Sequence, residues 1–167
     1  MKTVRKMRAT TLTDNNVGKI RQDLYSQAHI HIKVAMEQGY YLEVITLVES
    51  LVSDRLESFI TQTTGEDFSF RTLGELIEKV RKLDVDEKIK NLVIGDLDQW
   101  RHLRNKSLHE MAKLEQGTIV TWQNRLQALP GIANDGLAIL RKIDDRYKTL
   151  KAREKKKKIS IPANNME

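Results

Sequence analysis

Only two prolines, Pro130 and Pro162, occur in this chain of 167 residues, and their scarcity is what most limits the folds open to it. Proline removes a backbone donor and ends or kinks helices, so its absence before Pro130 leaves long segments free to hydrogen-bond internally. Within those segments apolar residues recur at three- and four-residue spacing rather than at every second position. The pattern predicts an all-α chain folded as an up-and-down helical bundle of about four long helices plus short ones.

The first helix is expected to start after Thr13, Asp14 and Asn15, good capping residues, and to bury Ile20, Leu24, Ala28, Ile32 and Ala35 before Gly39 stops it. A second begins near Tyr40 and carries Tyr41, Ile45, Val48, Val52, Leu56 and Phe59 to the polar loop around residues 61–67. A third covers about Thr72 to Leu83. After Asp86 a short helix is expected, then a longer one from about Asp96, a short one from Thr118 to Leu129, and a last one from Asn134 or Asp135 into a lysine-rich run.

The net charge of +6 is unevenly placed. Lys2, Arg5, Lys6 and Arg8 crowd the first eight residues, and residues 141–167 hold ten basic against four acidic side chains. The intervening body is therefore mildly acidic. This split divides the chain into a basic N-terminal arm (1–13), a helical domain (14–150) and a basic, flexible tail (151–167), and it argues against a domain that binds polyanions over its whole surface. The absence of cysteine excludes a disulfide framework, thiolate metal sites and a cysteine nucleophile. No apolar run follows the basic N-terminus as in a secretory signal, and none approaches the roughly 18 residues of a membrane span. A cytoplasmic protein without membrane partners is expected.

Two helices place charge where an apolar face should be. On the second, Glu49 and Arg55 fall inside the apolar arc, whereas Glu43, Asp54 and Glu57 fall outside it. A carboxylate on an apolar face must find a partner or shift its pKa, and such groups gather at working sites as well as at core rims. On the later helix Leu97, Trp100, Leu103, Leu108 and Met111 define an arc with Arg104 in its middle. Because a guanidinium keeps its proton, Arg104 must meet an anion, carbonyl groups or water inside the fold. His102, Asn105 and His109 share a polar flank, and on an unbroken ideal helix Arg104 and His109 point about 140° apart. Their convergence is therefore expected to need a helix break or a second subunit. No metal site is expected: His29 and His31 diverge on their helix, and His102 and His109 lie too far apart for one ion.

The run Arg104-Asn105-Lys106-Ser107-Leu108-His109 resembles the motif of the HEPN superfamily, an arginine, often followed by a polar residue such as asparagine, then a histidine after a gap of four to six residues. The preceding hairpin, residues 14–62, with its turn at Gly39 and an acidic residue on an apolar second helix, resembles the same family, and the likeness covers roughly residues 14–150. It implies an all-α bundle and, for many members, a metal-independent endoribonuclease without cofactor, working as a homodimer on RNA. By that resemblance Arg104 binds the scissile phosphate, His109 acts as general base or acid, Asn105 orients either, and Glu49 is the acidic residue near the motif. Lys106 becomes an RNA contact; the tail lysines Lys155, Lys156, Lys157 and Lys158 read, from their charge, either as a solubilising tail or as a sequence-blind, salt-sensitive RNA tether. The resemblance also implies a toxin or defence setting with an antitoxin or regulatory partner. The rival reading is a non-catalytic helical module for protein interaction or nucleic-acid binding, because some members keep the fold without nuclease activity.

Overall fold

The computed structural model describes residues 6, 8, 9, 16–113, 116, 117 and 120–159, without the side chains of residues 154, 155 and 157–159. Among the described residues every regular element is helical. Helix α1 (Val17–Gln38) ends where Gly39 enters the left-handed region at φ 76°, with Tyr40 N–H bonded to the Ala35 carbonyl at 2.8 Å. A residue with a Cβ strains there, and glycine lets α2 (Tyr41–Thr64) double back at once against α1. The expected capping residues Thr13, Asp14 and Asn15 lie outside the described residues; the residue preceding α1 is Asn16, whose side chain makes no capping bond.

Helix α2 is the centre of the bundle, packing against α1, α3, α5 and α6. Val44, Ile45, Val48, Val52, Leu56 and Ile60 are fully enclosed. This central position corrects two expectations. Glu57, assigned to the solvent side, is buried at 9% exposure, because the chain from Phe68 to Thr72 crosses over it. Ile20 and Leu24, assigned to the core, are 53% and 64% exposed. Helix α1 packs on α2 and buries one narrow stripe, including Ile32 and Ala35, so much of its apolar surface stays uncovered.

Helix α3 (Leu73–Lys82) starts with a reciprocal cap: Glu75 N–H bonds to Thr72 Oγ1 and the Glu75 carboxylate accepts the Thr72 N–H at 2.9 Å. Helix α4 (Glu87–Leu92) is capped by Asp86, which accepts the Lys88 and Ile89 N–H groups and pairs with Arg146 of α6. The separate short and long helices expected here are one rod, since α4 passes through a π-helical turn (Val93–Leu97) into α5 (Asp98–His109). The wider turn rotates the later residues relative to the earlier ones, so that Ile89, Val93, Leu97 and Trp100 all reach the core.

The last two expected helices are also one. Helix α6 runs from Trp122 to Ile159 with Pro130 inside it. Proline deprives the Leu126 carbonyl of its helical donor, but Leu126 is on the exposed part of the helix, where water can serve that group. Across the proline, Leu129, Ile132, Ala133, Gly136, Leu140, Ile143 and Tyr147 form one buried stripe, and this continuous packing keeps the helix whole. Trp100 locks α5 to it: its Nε1–H donates to the Ile132 carbonyl at 2.8 Å, and its ring lies where a Cβ on Gly136 would come within 2.7 Å.

Candidate active site

Arg104 is 6% exposed, and its guanidinium is spent on neighbours. Nη2 forms an ion pair with Glu49 of α2, while Nη1 donates to Asn105 Oδ1 at 2.8 Å and to His109 Nε2 at 3.1 Å. Among the described residues its Nε has no hydrogen-bond partner. Burial lowers the arginine's pKa from its ordinary value, as expected for a cation taken out of water. The position in the middle of an apolar arc thus has the consequence its charge demands, an internal anion, and Glu49 meets the same need from α2.

The contact with His109 corrects the expectation that the two side chains cannot meet along one helix. The angle of about 140° describes where Cα–Cβ bonds point, whereas an arginine side chain is long enough to sweep round the helix toward Glu49. His109 is the last residue of α5, where no further turn blocks its ring. Since a guanidinium only donates, His109 Nε2 accepts in this contact, and the neutral ring carries its proton on Nδ1.

These four residues line one end of an open cleft of about 680 Å³. Helix α2 contributes the hydroxyls of Thr46, Ser50 and Ser53 beside Glu49; the start of α3 contributes Arg71, Thr72 and Gly74; α5 adds Arg101. Three arginines line the cleft, each beside a carboxylate: Arg104 with Glu49, Arg71 with Glu75 and Arg101 with Asp98. The N-terminal end of α3 faces it and adds a partial positive charge. Arg71 and Arg101 were missed by sequence reasoning. Neither breaks an apolar arc, and Arg71 lies in a loop; its capping residue Thr72, three before Glu75, is the one signal that fixed its neighbourhood.

Arg71 owes its place to the buried Glu57, whose carboxylate accepts the Arg71 N–H at 3.4 Å. Phe70, just before it, has a positive φ of 55°, a conformation a bulky residue adopts only when its surroundings enforce it. Burial raises the Glu57 pKa, and the backbone donors of Arg71 and Phe70 pull it partly back.

Other expected residues do not join the cleft. Lys106 is exposed on the opposite face of α5 and borders a separate cavity of about 200 Å³ with Leu103, Ser107 and Met111. Lys156 is exposed near the end of α6, and the side chains of Lys155, Lys157 and Lys158 lie outside the described residues. Arg55, the second charge on the apolar arc of α2, belongs to a distant structural network: Nε donates to Asp144 at 2.5 Å and the guanidinium covers the Tyr25 ring at 4.1 Å. Tyr25 in turn donates to Asp54, which also anchors Arg8 of the N-terminal arm. His31 pairs with Glu43 across the α1–α2 hairpin.

Among the described residues no cluster of three or more histidine, aspartate or glutamate side chains could hold a metal ion, and no helix is long and apolar enough to cross a membrane. No known protein family, curated protein or solved structure matches the chain.

Proposed function

We propose that the cleft is the active site of a HEPN-like endoribonuclease that cleaves RNA without a metal ion or cofactor. The observation that carries this reading is the junction of Arg104, Asn105 and His109 around one buried guanidinium, at the end of an open cleft lined by two further arginines. The guanidinium groups of Arg71 and Arg101 offer donors to phosphate oxygens there, and His109 is the exposed proton-transfer group at its edge. When the ring turns away from Arg104, Nε2 is free to take the proton of a ribose 2'-hydroxyl. The 2'-oxygen then bonds to phosphorus, the bond from phosphorus to the 5'-oxygen breaks, that oxygen takes a proton from water, and the hydroxide so formed takes the proton held by His109. The products are a 2',3'-cyclic phosphate and a 5'-hydroxyl end. Charge building on the phosphoryl group is stabilised by guanidinium donors of the cleft.

The reading extends to a homodimer acting on RNA and restrained by a separate antitoxin or regulatory protein, as in toxin and defence systems. It is tested with purified full-length protein and a labelled RNA in EDTA. Cleavage by the wild type, with loss in His109→Ala and in Arg104→Ala of unchanged helicity, is the expected result; full activity in either variant refutes the mechanism. A second reading, a non-catalytic interaction module, is favoured by one feature. Ile20, Leu24, Ile30 and Val34 leave α1 with an apolar surface that is 48–64% exposed, as a partner-binding helix would.

A further inference from the structure

The fork of Arg104 has little left to offer a ligand. Its two terminal nitrogens serve Glu49, Asn105 and His109, and a phosphate could reach it only by displacing the carboxylate that neutralises it. The other two arginines of the cleft differ. Arg71 keeps 36% of its side chain exposed, and among the described residues its only ion pair is a 3.4 Å contact with Glu75. Arg101 commits Nε to Asp98 at 2.8 Å and Nη2 to Asp98 and His102, while Nη1 lies beside Gly74 at the cleft wall. Both are held from behind: the Arg71 guanidinium lies over the Phe68 ring at 5.4 Å on a backbone tied to Glu57, and Asp98 holds the Arg101 side chain at Nε. Fixed, partly exposed guanidinium groups suit phosphate oxygens.

We infer that Arg71 and Arg101 hold the backbone phosphates of a single-stranded RNA in the cleft, and that Arg104 is a positioning residue. Its task is to carry Asn105 and to keep the neutral His109 ring in one tautomer until substrate enters. This assignment rests on the ribonuclease reading of the same cleft, but it concerns binding and is tested apart from cleavage.

The probe is a fluorescent, single-stranded 2'-O-methyl RNA, which lacks the attacking hydroxyl. Its affinity for the full chain is read by anisotropy over a range of salt. Arg71→Gln and Arg101→Gln are each expected to weaken binding about tenfold and to reduce the salt slope by about 0.7, the share of one single-strand phosphate contact. Arg71→Lys and Arg101→Lys should recover most of that slope. Arg104→Lys should bind within about threefold of wild type, yet scatter the 15N shifts of His109 that report one tautomer.

Wild-type affinity and slope in both glutamine variants would overturn the inference, as would an equal loss of slope in Arg104→Lys. Should those variants bind normally while His109→Ala abolishes cleavage, the ribonuclease reading stands and the phosphate assignment falls. Binding that depends on Arg71 and Arg101, without cleavage by wild type, leaves the assignment standing and removes the ribonuclease reading. No binding by wild type overturns both.

Discussion

Replacing Arg104 by methionine removes a cation whose side chain is 8% exposed and leaves the Glu49 carboxylate, 24% exposed, without its partner. Breaking a fully buried pair costs about 3–5 kcal/mol, mostly because a charge is left uncompensated. Glu49 retains some water, so the expected cost of Arg104→Met is lower, about 2–4 kcal/mol. Glu49→Gln keeps the shape and removes the charge; Arg104 then retains Asn105 and His109, and the expected cost is about 1–3 kcal/mol. The double variant has no stranded carboxylate. Its cost should fall short of the sum of the single costs by about 1–3 kcal/mol, the coupling between the two sites. Urea unfolding at pH 7, with similar slopes for all four proteins, measures each value. Coupling below about 0.5 kcal/mol would refute the claim that the pair is what holds Arg104 inside the fold.

Other consequences are as direct. Gly136→Ala should cost about 1–3 kcal/mol by driving a methyl group into the Trp100 ring, less the 0.5–1 kcal/mol a helix gains from alanine; unchanged urea stability would contradict that packing. Because burial raises the Glu57 pKa, the protonated form is favoured in the fold, and the associated stability is present below the ordinary 4.5 and lost as pH rises through the folded value. Glu57→Gln should therefore gain in Tm relative to wild type between pH 4 and pH 7; a constant difference counts against a buried carboxyl. Asp86 behaves oppositely: its bond to Arg146 lowers its pKa, so its contribution is present above the ordinary 3.8 and lost as pH falls through the folded value. Asp86→Ala should cost about 0.5–2 kcal/mol at pH 7 through the lost cap alone, and less at low pH by urea unfolding. Truncation after Leu150 should weaken RNA binding at low salt yet leave cleavage by the cleft intact, as shown by gel assay.

Much of the fold could be read from particular residues. Gly39 marks the α1–α2 turn because only a residue without a Cβ takes that conformation cheaply, and Leu73, Leu76, Ile77 and Val80 are the buried face of α3 that their spacing predicts. Arg104 and Glu49 were visible as charges on apolar arcs, and solvation physics alone requires that each find a partner. What escaped depends on neighbours that no local pattern encodes. The π turn at Val93–Leu97 and the unbroken helix through Pro130 are decided by core packing, which outweighs a local helix breaker. Glu57 is buried because of a loop that crosses it, and Arg71 and Arg101 enter the cleft only because α3 and α5 meet α2 there. The angle argument failed at His109 for a simpler reason: a helical wheel records where a side chain starts, while an arginine acts where it ends.

The most direct test of the central claim is the fate of one defined RNA strand incubated with the full chain in EDTA, its products resolved by end group. The account predicts fragments ending in 2',3'-cyclic phosphate and 5'-hydroxyl, formed by wild type and absent with His109→Ala. An intact strand with wild type, or equal cleavage by His109→Ala, would contradict it.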